Sequence, residues 1–207
     1  IVLAALVRLP LPWIAAFGMV MIAGHNLFDG VQANPTEPLG WLWTVLHVQG
    51  AVIYGGQPVL FVAYPVIPWI GVMAVGYAFG ALLQRPEAGR HRALLRLGGA
   101  MTAAFVLIRL LNVYGDPNPW SVQRDAVTTV LSFLNTTKYP PSLDYLLMTL
   151  GPAIMSLVMF ERWKGPVARF FSVYGRVPLF YYLAHIALAH LLAGLTVSAI
   201  AVPQAMA

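Results

Sequence analysis

The chain has 207 residues, 59% of them hydrophobic and only 9% charged, with 12 Lys+Arg against 7 Asp+Glu and a net charge of +5. So few charges cannot cover the surface of a soluble globule, and so apolar a composition excludes a disordered chain. The absence of cysteine removes disulfides, thiolate metal ligands and thiol nucleophiles. The long apolar runs do not alternate in polarity, which excludes a β-barrel. What remains is an all-α, polytopic transmembrane helical bundle.

The chain opens at Ile1 inside an apolar run, without a charged leader. It is read as the C-terminal portion of a single transmembrane domain, 1–207, whose first helices lie upstream. A spanning helix needs about 20 mostly apolar residues. The runs that qualify are 6–24, broken near its start by Pro10 and Pro12; 59–83, with Pro65 and Pro68 in its first third; 93–111; 142–160; and 177–202. The stretch 39–57 is apolar but carries His47, Gln49, Gln57 and several glycines. It is expected to be interfacial or re-entrant. Gly71, Gly76 and Gly80 read as close helix packing.

Orientation follows from Lys and Arg. Arg85, Arg90, Arg92 and Arg96 flank one short loop, Arg162, Lys164, Arg169 and Arg176 flank another, and Arg8 precedes the first span. With alternating spans these share one side, which is therefore cytoplasmic. Residues 25–63 and 112–141 then face outward, with Trp41, Trp43, Trp69 and Trp120 as interfacial aromatics. The positive charge thus marks topology, and no nucleic-acid partner is expected.

The outward segments hold the polar residues that a bundle does not need. In His25-Asn26-Leu27-Phe28-Asp29, a continuing helix puts His25 and Asp29 on one face at i, i+4, where a carboxylate can fix the tautomer of a catalytic base. A plain helix end followed by a turn at Asp29-Gly30 explains the same residues. His47 is either an interfacial histidine or a second imidazole of a site. Asn112, Asp116 and Trp120 mix amide, acid and aromatic in a Pro/Gly loop suited to a polar ligand such as a sugar. Arg109, in the last turn of an apolar helix, either snorkels outward or pairs with Asp116 or Asp144.

After Pro140-Pro141, Ser142 suits a helix cap and Asp144 suits the positive end of a helix dipole. Lys138 has no such structural excuse and can hold an anionic or carbonyl oxygen. Tyr181 and His185 share a face of the last span, with His185 about 12 Å along it. An ionisable group at that depth is a functional candidate, the bland alternative being an interhelical hydrogen bond. No phosphate-loop, zinc-protease or dinucleotide motif is present, and no metal is expected.

At these residues the chain resembles a bacterial branch of the heparan-α-glucosaminide N-acetyltransferase-like family of multispan membrane proteins. The stretches that carry the resemblance are His25-Asn26-Leu27-Phe28-Asp29, residues 64–73, Asn112-Val113-Tyr114-Gly115-Asp116-Pro117, residues 133–151 and residues 175–185. The resemblance implies acetyl transfer from cytosolic acetyl-CoA, as acyl donor, to a sugar amine or hydroxyl on the far side of the membrane. The family's principal catalytic histidine lies near its first helices, a region not matched here, so no residue of this chain takes that role.

On this reading the catalytic candidates are His185, Lys138, His25 and Asp29. Those for binding the acceptor are His47, Asn112, Asp116, Trp120, Ser142 and Asp144. Arg176 is the candidate for CoA phosphates, the other arginines being explained by topology. The expected partners are the lipid bilayer, a glycan acceptor and a second copy of the chain, and the expected location is the bacterial inner membrane. The alternatives are a transporter using Arg109, Asp144 and His185 as a polar path, and a membrane protein without catalysis.

Overall fold

In the computed structural model residues 2–32, 34, 37 and 39–204 are described; the expected chain start at Ile1 lies outside them. Prolines decide where the first helices begin. Helix α1 covers Val2–Leu6, and α2 covers Leu11–Gly24 with Pro10 as its cap and Pro12 in its first turn. A 3-10 turn, His25–Phe28, continues α2. Helix α3, Gly40–Leu46, leads into an antiparallel hairpin of β1, Gly50–Tyr54, and β2, Gln57–Val62. Gly55 and Gly56 sit at its tip with φ of 58° and 78°, the left-handed pair that a two-residue hairpin turn requires.

Helix α4, Val66–Leu83, starts directly after Pro65. Helix α5, Glu87–Leu111, starts after Pro86 and stops at Asn112, which takes the left-handed conformation at φ 56°. Proline is tolerated in a first helical turn because its missing N–H has no partner there anyway. Pro65 and Pro68 therefore open the second span instead of interrupting it, and the expected start at 59 is corrected to Val66. Residues before it are drawn into β2. The stretch 39–57 forms α3 and β1, and neither is a helix long enough to cross a membrane.

Helix α6, Ala126–Leu134, is capped by Asp125, whose carboxylate accepts from the Thr128 amide at 2.8 Å. Helix α7 is Leu143–Arg162, α8 is Pro166–Arg176 and α9 is Pro178–Gln204. Among the described residues five helical segments are long and apolar enough to cross a membrane: Leu11–Phe28, Val66–Leu83, Glu87–Leu111, Leu143–Arg162 and Pro178–Val197. The fold is all-α and polytopic, with one small hairpin, and the chain is an integral membrane protein.

The chain forms two compact units, Ile1–Val158 and Met159–Ala207. In the first, glycines let helices touch backbone to backbone. A Cβ on Gly18 of α2 would meet the Gly71 carbonyl of α4 at 2.7 Å, and one on Gly98 of α5 would meet the Gly151 carbonyl of α7 at 2.6 Å. Such close approach is the usual device of helix association in lipid, where burial from water offers no drive. Gly71 thus packs as its spacing implied, whereas Gly76 and Gly80 face open space. Large apolar side chains such as Trp13, Val20, Met73 and Leu107 stay exposed on the outer faces, where a bilayer replaces water as the solvent.

The second unit holds the end of α7 with α8 and α9. Trp163 packs its ring on Phe171, and Tyr174 meets Tyr181 across the bend between α8 and α9.

Candidate functional site

One end of the first unit gathers the end of α2, α3, the end of α5, its following loop and the start of α7. Two long-range bonds tie it together. The Leu143 amide donates to Asn26 Oδ1 at 3.0 Å, and the Tyr114 hydroxyl donates to the Ala23 carbonyl.

At this end three ionisable side chains converge. His25 and His47 are each 2% exposed, and the Asp29 side chain is 19% exposed. His47 Nε2 lies 3.5 Å from Asp29 Oδ1, and the two imidazole rings are 5.8 Å apart edge to face. The Asn26 amide donates to Asp29 Oδ2 at 2.8 Å, so Asp29 is held from one side and turned to His47 on the other. Neither ring nitrogen of His25 has a hydrogen-bond partner of good geometry, nor has Nδ1 of His47. Trp43 and Phe28 wall the His47 ring at 5.0 and 6.3 Å. Burial, and next the Asp29 carboxylate, raise the Tyr114 phenol above its ordinary value.

His25 and Asp29 lie side by side as their spacing implied, but the closest partners of the carboxylate are Asn26 and His47. A 3-10 turn repeats every three residues, so position i+3 comes into closest register, although His25 and Asp29 still bring ligand atoms within 4.8 Å of each other. Asp29 accordingly bonds Asn26, and its imidazole partner is His47. No helical spacing encodes that pair, because α3 lies between its members. Asn26, which positions Asp29 and also fixes the start of α7, was missing from the sequence candidates. Its one signal was its place between His25 and Asp29.

A second constellation surrounds Arg109, which is 2% exposed. Its guanidinium donates to the carbonyls of Phe133 at 3.0 Å, Asn118 at 3.0 Å, Ser132 at 3.3 Å and Asn135 at 2.8 Å. Its Nη1 also lies 3.7 Å from Asp144 and 4.0 Å from Asp116. Pairing with both acids, one of the two expected alternatives, is what the fold adopts.

Asp116 accepts from the Thr137 amide and hydroxyl and from the Ser142 hydroxyl. Ser142 caps α7 by accepting from the Tyr145 amide at 3.0 Å. Asn112 and Trp120 bond each other: the Asn112 amide donates to the Trp120 carbonyl, and the Trp120 amide donates back to Asn112 Oδ1. Trp120 Nε1 donates to the Arg109 carbonyl at 2.7 Å. These four candidates for acceptor binding hold the loop 112–142 in shape with polar atoms that a ligand would also use.

Lys138 is exposed, and its ammonium lies over the Tyr139 ring at 5.1 Å from the centroid. A hydrogen bond to Tyr139 raises Lys138 above its ordinary value and lowers Tyr139, so Lys138 stays charged through neutral pH. His185 belongs to the second unit. Its Nδ1 lies 3.2 Å from the Tyr181 carbonyl one turn back, and its ring stacks on Tyr181 at 5.5 Å. Arg176 ends α8 and is exposed. A groove of about 940 Å³ in the same unit is lined by Trp163, Lys164, Arg169 and Phe171, without Arg176.

The class defined by this fold and site is a polytopic helical membrane protein with a buried two-histidine, one-carboxylate cluster at one end of its first unit. No family model, no curated protein and no solved structure matches the chain.

Proposed function

We propose that the protein is a membrane acyltransferase that moves an acetyl group from cytosolic acetyl-CoA to a sugar amine or hydroxyl outside a bacterial inner membrane. The observation that carries this reading is the cluster of His25, Asp29 and His47, in which both ring nitrogens of His25 and Nδ1 of His47 are buried without a hydrogen-bond partner. A structural role would leave those nitrogens bonded, since burying an unpaired polar group costs about 1–3 kcal/mol. A chemical role uses them to take up a proton.

In the transfer the acceptor N–H or O–H bond breaks and its nitrogen or oxygen bonds to the acetyl carbon. The thioester C–S bond breaks, and coenzyme A leaves as the thiol with the proton. The cluster accepts that proton on the way, and the charged Lys138 steadies the acetyl oxygen. His185 enters this proposal through the family resemblance alone, as do the glycan acceptor and a homodimer.

A transport path through Arg109 and Asp144 is disfavoured, because four carbonyl bonds hold Arg109 in place. The test is acetyl transfer from labelled acetyl-CoA by full-length protein in proteoliposomes. His47→Ala is expected to lower the rate by about 10²–10⁴, the usual contribution of a positioned acid or base, with an unchanged size-exclusion profile. Wild-type rate in the folded variant removes the cluster from the chemistry.

A further inference from the structure

We propose that His25, Asp29 and His47 form a binding site for a divalent transition-metal cation of the zinc class. One ligand atom from each residue lies within 4.8 Å of the others. The His47 Nε2 to Asp29 Oδ1 separation of 3.5 Å is close to the roughly 3.4 Å edge of a tetrahedron built with bonds of about 2.1 Å. His25 then needs only a side-chain adjustment to close the third corner.

Two further features support a metal over a simple acid-base pair. First, a His47–Asp29 dyad has no use for His25, which is nevertheless buried with both nitrogens unengaged. Second, the carboxylate is aimed from behind: the Asn26 amide occupies Oδ2 and leaves Oδ1 toward His47. That is the outer-shell support that ligating carboxylates receive in metal sites.

The ligand set selects the ion. Two imidazoles and one carboxylate disfavour calcium and magnesium, which take oxygen ligands, and a chain without cysteine cannot build a thiolate site. Three protein ligands also leave a fourth position open, as catalytic zinc sites do. The site rests on geometry alone and does not require acyl transfer. If both hold, the cation is the agent that lowers the pKa of the acceptor, and the histidines serve as its ligands.

The experiment uses tag-free full-length protein in detergent, loaded with zinc ion, freed of loosely held metal by gel filtration and analysed by mass spectrometry. The wild type is expected to retain an equimolar amount of zinc. His25→Ala and His47→Ala lose it, and Asn26→Ala weakens binding about 10–100-fold. His190→Ala, in α9, retains it. Equal retention by wild type and either histidine variant, or none by the wild type, overturns the site.

Where a variant fails to fold, X-ray absorption on the zinc-loaded wild type decides: imidazole nitrogen and carboxylate oxygen at about 2.0–2.2 Å are expected, and a shell without imidazole refutes the proposal. Zinc retention without acetyl transfer upholds the site and removes the acyltransferase reading. Acetyl transfer together with no zinc retained by the wild type does the reverse.

Discussion

Replacing Arg109 by methionine is expected to destabilise the first unit by about 3–5 kcal/mol, the usual consequence of removing one partner from a buried charge network. The guanidinium holds four backbone carbonyls, two of them at the end of α6 and one in the turn that follows it. It also faces Asp144, which is 1% exposed and whose Oδ1 has no hydrogen-bond partner. Without Arg109 that carboxylate has no counter-charge. Asp116 fares better, because Thr137 and Ser142 still donate to it.

The expected reading is a fall of about 10 °C or more in the detergent melting temperature, with partial recovery in Arg109→Met combined with Asp144→Asn. Arg109→Lys recovers little, since a single ammonium cannot serve a fork of carbonyls spread over the guanidinium plane. A melting curve for Arg109→Met that overlays the wild type would show that the loop 112–142 is held by something else.

The spans were legible because lipid imposes a crude rule on composition, and the prolines refined it: Pro10, Pro65 and Pro86 stand directly before α2, α4 and α5. Arg109 was legible too, since a charge in an apolar helix must find a partner and Asp116 and Asp144 were the nearby acids. Helices α6 and α8 were not. Both are too short to span, and α8 mixes arginines with aromatics, which reads as an ordinary basic connection.

The site was half legible. His25, Asp29 and His47 stood out as polar residues in apolar surroundings, but their arrangement depends on a 3-10 turn and on α3 folding back. Neither leaves a mark in local spacing. Asn112 and Trp120 illustrate the converse: residue types suited to a sugar also hold the backbone of their own loop, which type alone does not reveal.

Gly98→Leu is expected to part α5 from α7 and to cost about 3 kcal/mol, the upper range for overpacking a tight contact. Already at Cβ the new side chain meets the Gly151 carbonyl at 2.6 Å and Met155 Cγ at 2.6 Å. The methionine can turn aside, but the carbonyl belongs to a helix and cannot. The neighbouring Gly99 has nothing within 4 Å of its Cβ position. Gly99→Ala in the same helix is therefore expected to hold or raise stability, by up to about 1 kcal/mol through helix propensity.

The effect reaches the candidate site through α7. Its first amide donates to Asn26, and Asn26 orients Asp29. A shift of α7 away from α5 pulls on that chain of bonds. Gly98→Leu is thus expected to lower the melting temperature and zinc retention together, while Gly99→Ala leaves both intact. Should both variants melt alike, the α5–α7 contact does not set the position of α7, and the link from helix packing to the cluster is broken.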